Sequence, residues 1–145
     1  MSKQQPRSRP KESNIQDEEA SSVLKLGEFE GVPTLSTSEA AVLISAVKAQ
    51  RTKLGKPMKQ TEVLTQVEDY LDIFARFKQK ENVDAVERLL DGTPFERYER
   101  SQLASLCCAD ADEAKTLIPS IAAKMSDEDL DTVLDQINKL RSTSE

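Results

Sequence analysis

The chain contains no histidine. That removes at once the commonest general base and the commonest metal ligand of proteins. Glycine occurs four times in 145 residues, and no P-loop, GxGxxG, GxSxG or HExxH pattern is present. The two cysteines, Cys107 and Cys108, are adjacent. Helical neighbours point about 100° apart and do not bridge usefully, so they read as partly buried thiols of a reducing compartment, cytosol or nucleus. No apolar run approaches the roughly 18 residues of a membrane span, and the N-terminus carries no apolar signal core, so neither membrane insertion nor secretion is expected. Carboxylates are plentiful, but they sit at helix starts, where they have structural work. Without a nucleophile–base pair or a metal-ligand pattern, no catalytic residue, no cofactor and no metal is expected. The chain reads as a binding module.

What is present is charge and helical periodicity. Charged residues make up 32% of the chain, with a net charge of −6. That balance suits solubility and counts against a general nucleic-acid binder, which usually shows a strongly basic face. The acidity is uneven: from Asp110 to the end, nine acids face four bases. Such polarity suits oriented docking in a large assembly, but a solvated face is the commoner explanation.

Three regions follow from the pattern. Residues 1–22 are polar and charge-balanced with two prolines, and are expected to form a disordered tail. Residues 23–35 place Leu24 and Leu26 either side of Lys25 in period two, while Gly27, Gly31 and Pro33 exclude a helix. This is an extended arm with apolar anchors at Leu24, Leu26, Phe29, Val32 and Leu35. Residues 36–145 read as a helical domain. Ser36 and Glu39 make a capping box for a first helix at 37–50. A second helix over 57–78 carries Val63, Leu64, Val67, Tyr70, Leu71, Phe74 and Phe77 within an arc of about 140°, and reads as the central core helix. Asn82 is expected to cap a third helix, which ends at Asp91-Gly92. Thr93-Pro94-Phe95-Glu96 reads as a capping box for a fourth, running through Tyr98, Leu103, Leu106 and Cys107. Asp110 opens a short fifth helix that Pro119 stops. Ser126 caps a sixth, with Leu130, Val133, Leu134, Ile137 and Leu140 in one stripe. The fold class is therefore all-α, a compact bundle of about six helices behind an extended arm.

Three features stand out as candidates for function. With every later element helical, the arm has no sheet of its own chain to join. Either it lies over its own helices or it adds a strand to a sheet in another protein. The first helix, Ala40-Ala41-Val42-Leu43-Ile44-Ser45-Ala46-Val47, has one polar residue in eight. It is either fully internal or covered on one side by a partner. Lys48, Arg51, Lys53, Lys56 and Lys59 form a basic stretch with no acid before Glu62. They are candidate nucleic-acid contacts through phosphate, or simply a solvated turn. No aromatics are interleaved, so base stacking is not expected.

The residues also resemble a known family. Glu28-Phe29-Glu30 with Thr34-Leu35 and Ser38-Glu39 is one stretch, and Tyr70 through Ala75-Arg76-Phe77 is a second. Leu103-Ala104-Ser105-Leu106-Cys107 leads to Glu113-Ala114-Lys115 and Leu117-Ile118-Pro119-Ser120 as a third. The terminal helix from Asp129-Leu130 to Arg141-Ser142 fits as well. Together they resemble the small stalk subunit of eukaryotic RNA polymerase II, the family fourth in subunit naming, over about residues 24–142. The resemblance implies a bundle similar to the helicase-and-ribonuclease-D C-terminal domain. It implies a non-catalytic subunit in a heterodimer with the seventh-named subunit, which carries a β-rich tip and an RNA-binding barrel. That pair forms a stalk on the polymerase core beside the RNA exit channel, acting in initiation and transcript handling. It also implies a nuclear protein, with links to mRNA export and decay that extend to the cytoplasm. Nascent RNA would be met mainly through the partner.

A sheet-bearing partner favours strand addition by the arm and supplies the second surface that the first helix needs. The partner-binding set is then Leu24, Leu26, Phe29, Val32 and Leu35 with Leu43, Ile44 and Val47. Some family members carry a long charged insertion between the first two helices, whereas this connection is short, roughly residues 51–57. Cys108 stands where relatives often have proline, which is expected to cost the fourth helix its sharp stop. Two alternatives are the equivalent stalk subunit of RNA polymerase III and a free-standing helical nucleic-acid-binding domain using Lys48 to Lys59.

Overall fold

The computed structural model describes residues 18–143. Most of the expected disordered tail, residues 1–17, lies outside the described residues. Six α-helices carry the fold: α1 (Thr37–Lys53), α2 (Glu62–Phe74), α3 (Lys80–Asp91), α4 (Arg97–Leu106), α5 (Ala111–Leu117) and α6 (Asp127–Ser142). The chain is thus an all-α bundle, as its periodicity predicts.

The helix starts follow local chemistry. Ser36 Oγ accepts from the Glu39 N–H, and the Glu39 carboxylate accepts from the Ser36 N–H, both at 3.1 Å. Each satisfies a donor the first turn of α1 would otherwise leave open. Asp110 caps α5 and Ser126 caps α6 in the same way. Asp127, Glu128 and Asp129 sit in the first turn of α6 and Lys139 and Arg141 in its last, both complementing the helix dipole.

Three starts differ from expectation. α2 begins at Glu62 with Thr61 as its cap, its hydroxyl accepting from the Leu64 N–H, and Pro57 lies in the connection before it. α3 begins at Lys80 and Asn82 lies inside it. At α4 the box is formed by Glu96 and Glu99, with Thr93 hydroxyl bonded instead to Leu90 O. The end of α4 is also corrected. Cys107 adopts left-handed backbone (φ 48, ψ 54) and its N–H donates to Leu103 O. This cap stops the helix at Leu106 without a proline and turns Cys108 into the core.

The larger correction concerns the core. It is built by α3, α4, α5 and α6, with Val86, Leu90, Leu103, Ala114, Ile121, Leu130, Leu134 and Ile137 all buried, and Phe77 closing one side. α6, not α2, is the central helix. Leu71 is the only buried residue of α2. Val63, Val67, Tyr70, Ile73 and Phe74 are all exposed. A stripe predicts that one face is covered, not by what, and here the bundle is closed without it.

Two charged side chains stabilise the base of α4. Glu99 is wholly buried and accepts from Lys124 Nζ at 2.8 Å on each oxygen, and from the Glu96 N–H at 2.8 Å. Its desolvation is thereby matched by a paired cation and a backbone donor.

Candidate partner-binding face

The arm is not wholly without a sheet. Glu19–Ala20 pairs antiparallel with Leu24–Lys25, in the register Glu19 to Lys25 and Ala20 to Leu24. We label these strands β1 and β2. The residues 18–22 assigned to the tail therefore take part in a small hairpin. A tight turn at Gly27–Phe29 follows. Gly27 has φ +55, a left-handed backbone that favours glycine, whereas an added Cβ would meet only the movable side chain of the exposed Glu18.

The C-terminal end of the arm is fastened along α4. Thr34 Oγ1 donates to Arg97 O at 2.9 Å and shares a 2.6 Å hydrogen bond with Ser101 Oγ. The Thr37 N–H donates to Ser105 Oγ at 3.1 Å. Upstream of that clasp, and at Leu35 within it, apolar anchors face solvent. Phe29 is 67% exposed and Leu35 51%, Val32 is exposed, and Leu24 and Leu26 are half-buried. The domain thus holds the arm by polar contacts while its apolar side chains remain available.

α1 is not fully internal. Ser38 is its only buried residue, and its hydroxyl accepts from the Phe77 N–H at 3.0 Å. Val42 packs on the core, Ile44 and Val47 are half-buried, and Leu43 is 50% exposed. α1 packs one side on its own domain and leaves the side that carries Leu43 open.

α2 lies beside α1. Ala41, Ile44 and Ser45 face Leu71, Asp72 and Ala75 across a groove of about 530 Å³. At its far end Lys48 Nζ pairs with Glu68 Oε1 at 2.5 Å and donates to Gln60 Oε1 at 3.2 Å. Gln60 Nε2 returns a bond to Glu68 Oε2 at 2.8 Å. The Lys48 hydrogen bond, then that of Gln60, hold the Glu68 carboxyl below its ordinary value.

The same geometry divides the basic stretch. Lys48 is engaged by α2, and Arg51 Nε donates to Lys56 O at 3.3 Å. Arg51, Lys53, Lys56 and Lys59 are exposed around the turn from α1 to α2, beside the 69% exposed Leu54. Sequence reasoning missed the open face of α2. Its periodicity was visible, but its outward direction was not.

Cys107 and Cys108 are both free and both buried. Burial pushes both thiols up, Cys108 to about 11. They are inert core groups rather than reactive ones. Among the described residues no cluster of histidine, cysteine or carboxylate side chains is placed to hold a metal, and no helix is long and apolar enough to cross a membrane. What this surface offers chemically is uncovered apolar area on a rigid frame.

Residues 34–141 match the RNA polymerase Rpb4 family. The chain is 46% identical over 126 residues to the DNA-directed RNA polymerase II subunit rpb4 of Schizosaccharomyces pombe, covering 86% of this chain and 93% of that one. It is 32% identical over 147 residues to the rpb4 subunit of Dictyostelium discoideum, covering 90% and 94%. To the RPB4 subunit of Saccharomyces cerevisiae it is 47% identical over 73 residues, which is 50% of this chain and 33% of the yeast protein.

Proposed function

Since this chain belongs to the RNA polymerase Rpb4 family, we propose that it is a non-catalytic, nuclear subunit of DNA-directed RNA polymerase II. In this reading it forms a stalk heterodimer with the seventh-named subunit near the RNA exit channel, and acts in initiation and transcript handling. The relatives quoted above carry polymerase II in their names, which supports polymerase II over polymerase III.

The observation that carries the heterodimer is the arm. Its C-terminal end is clasped on α4 while Phe29, Val32 and Leu35 stay open to solvent. A short strand with one open edge, followed by exposed apolar anchors, is suited to extending a sheet in a partner. β2 has β1 on one edge, which leaves its other edge for such pairing. The mechanism is scaffolding: arm and α1 hold the partner, and the α3–α6 core braces them. RNA is met mainly through the partner, with Arg51, Lys53, Lys56 and Lys59 as a secondary phosphate contact.

The test is co-expression with the seventh-named subunit of the same organism, followed by light-scattering mass on a sizing column. A stable 1:1 complex that Leu43→Asp abolishes, with helical content retained, supports the reading. Two separate monomers would overturn it.

A further inference from the structure

The turn that ends α1 is closed by backbone hydrogen bonds. The Leu54 N–H donates to Gln50 O at 3.1 Å, the Gly55 N–H to Thr52 O at 3.1 Å and the Lys56 N–H to Arg51 O at 2.9 Å. Gly55 has φ +70, so this is the left-handed glycine stop that satisfies the last carbonyls of a helix. Arg51 Nε adds a bond to Lys56 O at 3.3 Å. The turn is fixed, and so is what it displays: Lys53-Leu54-Gly55-Lys56-Pro57-Met58-Lys59. Leu54 is 69% exposed. Lys53, Lys56 and Lys59 are exposed, and among the described residues no carboxylate pairs with any of them. No acid occurs between Glu39 and Glu62. Helix electrostatics explain only part of this charge. Arg51 and Lys53 lie in the last turn of α1 and complement its dipole. Lys56 and Lys59 lie beyond that helix. Lys59 stands two residues before the Thr61 cap of α2, beside the positive end of that helix's dipole, where a cation is disfavoured.

We infer that this tip docks an acidic segment of another protein, whose carboxylates meet Lys53, Lys56 and Lys59 while an apolar side chain covers Leu54. The inference goes beyond the secondary phosphate contact given to these cations above, and it does not depend on the stalk heterodimer. Three observations select that occupant. The first is charge complementarity. A run of bases without an acid stands on a chain of net charge −6. A short acidic segment meets the tip alone, whereas a long polyanion also meets repulsion from the rest of the surface. The second is Leu54. A phosphate backbone makes no use of an aliphatic side chain, and no aromatic residue lies between Phe29 and Tyr70 on which a base could stack. An acidic segment that carries an apolar side chain uses both the leucine and the lysines. The third is the closed turn itself, which has little conformational freedom left to lose on binding. The area is that of a transient contact, well short of the roughly 800 Å² per partner of a stable complex, so binding is expected to be weak and fast-exchanging.

The test follows the amide resonances of the full chain as it is titrated with three probes. These are a peptide of glutamates flanking a single leucine, the same peptide with serine at the leucine position, and oligouridylate. The glutamate–leucine peptide should shift amides around residues 51–59 and leave those of α6 in place. The serine peptide should bind about tenfold more weakly, as expected when one leucine is no longer covered. Leu54→Ser should cost the same factor, and Lys53→Gln/Lys56→Gln at least as much. Leu117→Ser, at a leucine 53% exposed on α5, should bind the peptide as wild type does. Oligouridylate that moves the tip amides more strongly than the peptide would overturn the proposal, by showing that the tip is a nucleic-acid contact. No shift at the tip, or an equal loss in Leu117→Ser and Leu54→Ser, would overturn it too. Should a tip variant misfold, the two peptides on the wild-type chain decide, and equal affinity for them overturns the proposal. Repeating the titration on the complex with the seventh-named subunit separates the two readings. The peptide should still bind. A blocked tip would support the heterodimer and overturn the docking site. Failure to form any complex would overturn the heterodimer, and the lone-chain titration would still decide the tip.

Discussion

Lys124 donates to both carboxylate oxygens of Glu99, at 2.8 Å each, while Glu99 is wholly removed from solvent. The pair joins the first turn of α4 to the segment ahead of α6, and it closes the Glu96–Glu99 capping box from the inside. Removing the cation leaves a buried carboxylate without its charge partner. Lys124→Met is therefore expected to destabilise the fold by about 3–5 kcal/mol. Lys80→Met breaks the exposed 3.9 Å pair with Asp84 and should cost less than about 1 kcal/mol. Urea unfolding of the two variants measures both.

α6 and α2 make opposite predictions although both carry a regular apolar row. Leu134 on α6 is fully buried, and Leu134→Ala should cost about 2–5 kcal/mol through lost burial and the cavity left behind. Val67 on α2 is 40% exposed, and Val67→Ala should change stability by only about 0.5 kcal/mol. Equal losses in denaturant unfolding would mean that α2, not α6, is the central helix.

This contrast shows where the sequence was legible. The caps at Ser36, Asp110 and Ser126 could be read directly, because each is a local exchange between one side chain and a backbone N–H three residues on. The count of six helices and the terminal stripe of α6 followed from periodicity. The open side of α1 was anticipated, since a helix with so few polar positions exceeds what its own bundle covers. The role of α2 was not legible. Its apolar row is as regular as that of α6, and periodicity records that a face exists without recording which body meets it. The end of α4 failed for another reason: a left-handed residue at Cys107 does the work a proline would do, and cysteine carries no signal for that conformation. The β1–β2 hairpin escaped because two residues per strand are too few to show alternation.

The buried cysteines predict slow chemistry and a sensitivity to alkali. Burial raises both thiols above their ordinary 9.0, Cys108 to about 11. The folded state thus favours the neutral thiol. Its contribution is fully present below about pH 9, where the unfolded thiol is also neutral, and is lost as pH rises from there through about 11. Melting temperature should fall over that window, and Cys108→Ser should blunt the fall. Iodoacetamide at neutral pH should leave both residues unmodified in the folded chain and label both in urea.

Acid should act first on α2. Its ties to the domain run mainly through Leu71 and the Lys48–Glu68–Gln60 network. Glu68 sits below its ordinary 4.5 in the folded chain, so its contribution is present above that value and is lost as pH falls from there through the lowered one. The α2 resonances should accordingly shift and broaden below about pH 4.5 while those of α6 remain sharp. Glu68→Gln should produce the same loosening at neutral pH, read as faster amide exchange in α2 relative to α6. Exchange in α2 that is indifferent to Glu68→Gln would show that Leu71 and Ala75 alone hold the helix in place.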